Sequence, residues 1–288
     1  MKPGVLIFDV DNTLYNFVDF FAPSFRSMVH VLAREADLQE VEIIRSAKAV
    51  YQAAGTLEYP FLVQEMDIFS ERPPNEVDRL IDLVRTVFSI NRRRRLQLYP
   101  GIINLIMSAR ASGWTCVCAT NAPYYQVGQR LHRLGILTKI DGLVAWEGRP
   151  VDASREEHVR KHSDMRASLD QRLHLFEILQ TPDVKPSSYP FMRILEHFGD
   201  ERQYYSVGDS LSKDLQPAAS LGASTIWAKY GTEVDPVNYA TLLEITPWTS
   251  DQVAMEAAPA VGPDYIAESP RDVARILSIP VQADLFLE

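Results

Sequence analysis

The sequence predicts an α/β protein: a three-layer core around a parallel sheet, with a helical domain inserted near its start. Three observations carry this. The continuous apolar run Val5-Leu6-Ile7-Phe8 stops abruptly at Asp9, as a strand buried on both faces does. The stretch 16–96 shows helical periodicity and few strand signals. From Tyr99-Pro100-Gly101 onward, short apolar runs alternate with amphipathic segments, which implies right-handed crossovers and helices on both faces of a parallel sheet.

Taken in order, the first strand is 5–8. Within the inserted stretch, 24–32 and 76–85 carry apolar residues at i, i+3, i+4 and i+7, and Pro73-Pro74-Asn75 marks a helix start. A helix over 102–112 stops at Gly113, and the strand 114–119 runs into Thr120-Asn121. A helix near 124–134 stops at Gly135 and is followed by a strand at 140–146. Another helix begins near Ser188 and ends before Gly199. The strand 204–207 leads into Gly208-Asp209-Ser210, then a helix 214–221, a strand 224–228, and a last strand–helix unit at 265–277. The layering is Rossmann-like. The domains expected are a core, 1–15 and 97–279, and a helical domain, 16–96. The core carries two inserts: a polar, helical one at 148–181 and an acidic, proline-containing one at 232–262.

Composition narrows the function. The chain has 288 residues, is 46% hydrophobic and carries a formal charge of −9. That is ample for a sizeable core, and the acidic balance argues against a partner gripped through a nucleic-acid backbone. The region 232–288 holds ten acids against two arginines, which reads as a solvated, solubilising surface. No apolar run is long enough to span a bilayer, and the N-terminus lacks the pattern of a signal peptide. With only two cysteines, Cys116 and Cys118, a disulfide framework is excluded and a cytoplasmic location is expected.

The chemistry gathers at strand ends, where open parallel sheets bind ligands. Asp9 and Asp11 follow the first strand, Thr120 and Asn121 the second, Asp209, Ser210 and Asp214 a later one, and Lys185 lies before a helix start. Asp9 and Asp11 are two apart, so an extended backbone aims both to one side. Carboxylates that close repel unless a cation relieves them. Few, hard oxygen ligands with room for water and phosphate suit Mg²⁺. Lys185 and the Thr120 hydroxyl would donate to an anionic group, helped by amides at helix starts near Asn121 and Ser210. A carboxylate nucleophile, a second carboxyl for proton transfer, a metal and an anion cradle fit phosphoryl transfer through an aspartyl phosphate.

On these residues the chain resembles the haloacid dehalogenase-like (HAD) phosphohydrolases. Asp-Val-Asp-Asn-Thr at 9–13 matches that family's first motif, Thr120 after an apolar strand its second, Lys185-Pro186 its third, and Gly208-Asp209-Ser210 with Asp214 its fourth. The resemblance implies that Asp9 is nucleophile and metal ligand, and that Asp11 is the acid and base whose backbone carbonyl also binds Mg²⁺. It implies that Thr120 and Lys185 hold the phosphoryl group, that Asp209 completes the metal site, and that Asp214 supports it. It also makes 16–96 a cap that excludes water and selects the leaving group, with Asn16, Phe17, Tyr59, Gln64 and Glu65 as candidates to face the substrate. Asn12-Thr13-Leu14-Tyr15 further resembles the pyrimidine 5'-nucleotidase subgroup.

The reading is therefore a Mg²⁺-dependent phosphatase acting on a small phosphorylated metabolite. The alternatives are a phosphomutase or dehalogenase of the same fold, or a non-catalytic docking protein. Two other features stand outside it. Arg92-Arg93-Arg94-Arg95 reads as a solvated helix face. His158 and His162, spaced i and i+4, offer a metal clip but lack the acid of a zinc-protease helix.

Overall fold

The computed structural model describes residues 3–150, 152–199, 201–246 and 262–280. In chain order the elements are β1 (Val5–Phe8), α1 (Phe17–Ala36), α2 (Glu40–Ala54), α3 (Leu62–Glu65), α4 (Pro74–Arg95), α5 (Ile102–Ala111), β2 (Thr115–Pro123), α6 (Tyr124–Arg133) and β3 (Gly142–Trp146). They continue with α7 (Glu156–Arg172), β4 (Leu175–Leu179), α8 (Tyr189–Phe198), β5 (Tyr204–Gly208), α9 (Gln216–Ala219), β6 (Ser224–Ala228), α10 (Pro236–Ile245), β7 (Tyr265–Ala267) and a closing helix, Pro270–Ile276. The chain forms two compact units. One takes residues up to Tyr15, Leu98–Glu233 and the end of the chain from 254; the other takes Asn16–Gln97 with Val234–Val253.

The first unit is built on a seven-stranded sheet in the order β4-β3-β2-β1-β5-β6-β7, with every pairing parallel. β1 lies in the middle, in register with Thr115–Cys118 on one side and Tyr204–Val207 on the other. Both its faces are covered, which is why its four residues are all apolar and fully buried. Val5 and Ile7 join Val117, Ala119, Val144, Phe191 and Ile194 in one core layer. Leu6 and Phe8 point to the opposite face by strand alternation. The strand Leu175–Leu179 is not among the six expected. It pairs on one side only, with β3, and its central Glu177 is tied to Arg193. The helix expected at 214–221 is instead a π-helical turn, Leu211–Leu215, running into α9.

The second unit is helical. α1 buries Phe21, Phe25, Met28 and Leu32, and Phe25 packs its ring 6.1 Å from Tyr51 of α2. Local signals explain the helix limits. Asn16 caps α1 by accepting from the Asp19 amide at 2.8 Å, Gln39 and Glu42 form a capping box on α2, and Pro74 opens α4 at a position where its missing N–H costs nothing. The segment 232–262, placed in the core by the sequence reading, contributes α10 to this unit instead. Arg26 of α1 donates to Asn238 Oδ1 at 2.6 Å and to Thr241 at 2.9 Å, and Asn238 donates to Asp19 at 2.7 Å. The rest of that segment, 247–261, lies outside the described residues. Among the described residues no helix is long and apolar enough to cross a membrane.

Candidate active site

The site begins where β1 runs out. Asp9 still donates its amide to Val207 of β5, at 2.9 Å, so its side chain leaves the end of the sheet from a fixed backbone. The chain then turns back on itself. Leu14 N donates to Val10 O at 2.9 Å and Asn12 N to Tyr15 O at 2.8 Å. The turn needs a left-handed residue at Asn12 (φ 60°), a conformation asparagine tolerates better than most side chains. Thr13, wholly buried, stitches this turn to β5: its hydroxyl accepts from Asp209 N at 3.1 Å. The end of β6 and the turn after it close over it. Tyr230 donates to Thr13 O at 3.0 Å, Trp227 Nε1 to Asp209 O at 2.9 Å, and a Cβ on Gly231 would sit 1.8 Å from Asn12 O.

Lys185 lies at the centre, buried, with Nζ 2.6 Å from Asp9 Oδ1 and hydrogen-bonded to Asp214 Oδ1. Its backbone is held from both sides by Asn121, whose Nδ2 donates to Lys185 O at 2.7 Å and whose Oδ1 accepts from Lys185 N at 2.9 Å. Asn121, expected at the phosphate, thus spends its side-chain amide on placing the lysine. Asp214 is held by Ser210 N at 3.0 Å through its other oxygen. Gly208 leaves room for it, since a Cβ there would fall 2.4 Å from the Asp214 carboxylate. Thr120, buried, accepts from Ala122 N at 3.1 Å, a turn that bends the end of β2.

The electrostatics follow from burial. Asp9 is pushed up to about 7, by desolvation against the pull of Lys185, with Asp214 adding repulsion. Asp209 is raised for the same first reason, with Asp9 and Asp214 adding to it. Burial alone would lower Lys185, but Asp214 and Asp9 outweigh it and hold the ammonium charged. Carboxylate oxygens of Asp9, Asp209 and Asp214 lie within 4.8 Å of one another, and one ammonium cannot neutralise three acids. The donor set is all oxygen, and a hard divalent cation would relieve the crowding that raises Asp9 and Asp209.

A model of the haloacid dehalogenase-like hydrolases matches residues 4–222, a span that contains Asp9, Asp11, Thr120, Lys185, Asp209 and Asp214. The chain belongs to that family. HAD-like hydrolases of known structure share its fold. A HAD phosphatase from Thermococcus onnurineus is 16% identical with a TM-score of 0.54, over 98% of this chain and 100% of that one. A 2-haloacid dehalogenase from Pseudomonas syringae pv. Tomato DC3000 is 16% identical with a TM-score of 0.55, over 96% and 98%. A HAD-hydrolase from Bacillus subtilis bound to magnesium is 15% identical with a TM-score of 0.52, over 97% and 100%. No curated protein matches the chain in sequence.

The structure brings Asp9, Lys185, Asp209 and Asp214 of this HAD-like hydrolase into one cluster. Asp11 stands beside it, half-buried, bonded by Tyr15 and 3.4 Å from Arg130. The sequence reading gave no role to Tyr15, Arg130, Tyr230, Trp227 or Gly231. One signal was present: Arg130 sits three residues after Val127 and one before Leu131, on the apolar face of α6.

The other candidates have structural employment. Asn16 is a helix cap, Phe17 stacks on Phe21 at 5.3 Å, and Tyr59 bonds Glu65. Gln64 and Glu65 are exposed. Arg93, Arg94 and Arg95 are exposed at the end of α4, where positive charge complements the helix dipole. His162 stacks on Tyr125 with centroids 4.1 Å apart, and among the described residues no third metal-ligating side chain joins it and His158.

Proposed function

We propose that this HAD-like hydrolase is a Mg²⁺-dependent phosphomonoesterase that hydrolyses a small phosphorylated metabolite through an aspartyl phosphate on Asp9. The observation that carries it is the excess of buried carboxylate around Lys185, beside the second, differently placed acid Asp11. Asp9 and Asp209 would hold the cation through carboxylate oxygens and Asp11 through its backbone carbonyl, with Asp214 supporting through Lys185. When bound, Mg²⁺ supplies the positive charge that lets an anionic phosphoryl group approach Asp9.

Each residue then has a distinct task. Asp9 Oδ attacks phosphorus as the bond to the leaving oxygen breaks, and Asp11 gives that oxygen a proton. Asp11, now a carboxylate, takes a proton from water, whose oxygen attacks the same phosphorus. Phosphate departs and the Asp9 carboxylate is restored. Lys185 and the Thr120 hydroxyl hold the phosphoryl oxygens. A halide leaving group needs no proton, so the presence of Asp11 favours an ester substrate. The helical unit, Asn16–Gln97 with α10, acts as the cap, and nucleoside monophosphates belong in the first panel of substrates.

The test is turnover of p-nitrophenyl phosphate. Chelation with EDTA abolishes it, Mg²⁺ restores it, and Ca²⁺ does not, because its larger and looser shell misplaces the nucleophile. Asp9→Asn removes turnover for every leaving group. Full activity after exhaustive chelation, or in Asp9→Asn, refutes the proposal.

A further inference from the structure

Asp11 has to present its carboxyl first to a leaving oxygen and then to a water, so its orientation matters more than its mere presence. Two side chains outside the acidic cluster fix it. Tyr15, wholly buried, donates its hydroxyl to Asp11 Oδ1. Arg130, also buried, places Nη2 3.4 Å from the same oxygen. Its guanidinium lies 5.7 Å from the centre of the Tyr15 ring, so ring, guanidinium and carboxylate form one cluster.

The backbone builds this arrangement from two sides. The turn closed by Asn12 N to Tyr15 O, with Asn12 left-handed, folds Tyr15 back over the residue four before it. Tyr15 is anchored by a bridge to Leu98, and Tyr99 N donates to Leu14 O at 2.9 Å. From the other side, α6 leaves directly from the end of β2 that carries Thr120 and delivers Arg130 on its buried face, between Val127 and Leu131. Burying a guanidinium is costly without a matching anion, and an apolar side chain would fill that helix position at no such cost.

The geometry assigns Tyr15 and Arg130 as positioning residues for the proton-transferring acid. Tyr15 holds Oδ1 by a hydrogen bond and Arg130 sets its positive charge beside the same oxygen, which leaves Oδ2 to exchange the proton with the leaving group and the attacking water. The inference rests on the phosphatase reading above, and its test separates the two.

The experiment compares Tyr15→Phe, Arg130→Gln, Arg130→Lys and wild type, with Mg²⁺, on p-nitrophenyl phosphate and on an alkyl phosphate. Tyr15→Phe removes one oxygen and keeps the buried ring, so folding is preserved; its melting temperature checks this. Nitrophenolate leaves without a proton, so forming the aspartyl phosphate is spared while its hydrolysis is slowed. The variants should therefore show a stoichiometric burst of nitrophenol followed by slow turnover. On the alkyl phosphate kcat should fall roughly tenfold to a hundredfold with KM unchanged, as expected for damage to acid–base catalysis worth about 10²–10⁴ in all. Arg130→Lys, which keeps the charge, should recover part of the loss. Equal losses on both substrates with no burst of nitrophenol, or a rise in KM with kcat unchanged, overturns the inference and leaves the phosphatase reading standing. A wild type that turns over neither substrate, or an Asp9→Asn that turns over both, removes that reading and the inference with it.

Discussion

Lys185 offers the sharpest test of how the site is held together. Its ammonium is almost fully buried and is shared by Asp9 and Asp214, with Asp209 close by. Lys185→Met keeps much of the stem's volume and deletes the charge. Removing one member of a buried pair typically costs about 3–5 kcal/mol, because the remaining charge is left unmatched. For a chain of this size each kcal/mol moves Tm by about 2–4 °C, so the metal-free variant should melt about 6–20 °C lower at neutral pH. The pH dependence has a definite sign. Asp9 is raised from 3.8 to about 7 even with the lysine present. Its folded form keeps a proton that the unfolded chain releases, so that contribution is whole below 3.8 and is lost as pH rises to 7. The loss is at most about 1.4 kcal/mol per pH unit. Without Lys185 the carboxyl rises further, so the variant's deficit should grow from pH 5 to pH 7.5. Scanning calorimetry at both pH values, with EDTA and with Mg²⁺, measures this. Mg²⁺ should recover more of the variant's Tm than of the wild type's. A fall in Tm below about 2 °C at pH 7.5, independent of Mg²⁺, would refute the buried-pair argument.

Three further outcomes follow from the geometry. Gly231→Ala places a methyl 1.8 Å from Asn12 O, so the turn carrying Asp11 and Thr13 has to move. Such overpacking costs about 1–3 kcal/mol, and denaturant unfolding together with kcat should both register it. Cys116 and Cys118 are free and buried; burial pushes Cys116 up to about 12, with Asp141 adding to it, and raises Cys118 as well. At pH 8 the Cys116 thiolate fraction is on the order of 10⁻⁴, so alkylation followed by mass spectrometry should label neither thiol until the chain unfolds. His162 is lowered from 6.5, first by burial and then by His158. The unfolded chain therefore takes up its proton first as the solution is acidified, stability falls as pH drops below 6.5, and His162→Asn should flatten that part of the stability profile.

What could be read from the sequence was what depends on neighbours along the chain. The Val5–Phe8 strand announces itself because a central parallel strand is apolar throughout, and the Pro74 helix start follows from a proline at the first helical position. The strand Leu175–Leu179 escaped because an edge strand tolerates Glu177 in its middle, and five residues between polar flanks give no period. The motif acids were legible as types at strand ends, whereas their division of labour was not. That Asn121 would serve the Lys185 backbone, or that Arg130 would reach Asp11, depends on pairings 64 and 119 residues apart in the chain. The place of α10 is the clearest instance. Its own residues set the Asp235 cap, but only the fold brings Asn238 to Asp19 and Arg26.

That last attachment sets an order of events during synthesis. The helical unit is nearly all translated by Gln97, yet α10 is not complete until Ile245. At about 5–20 residues per second the interval is roughly 7–30 s. Through it, Asp19 and Arg26 have no Asn238 to bind, and the face of α1 that receives α10 stays open to solvent or to a chaperone. β1 waits too, since its second partner, β5, arrives only with Tyr204. Ribosome-bound chains stalled between residues 97 and 236 should therefore be cut readily within α1, and protection should appear only once α10 has cleared the exit tunnel.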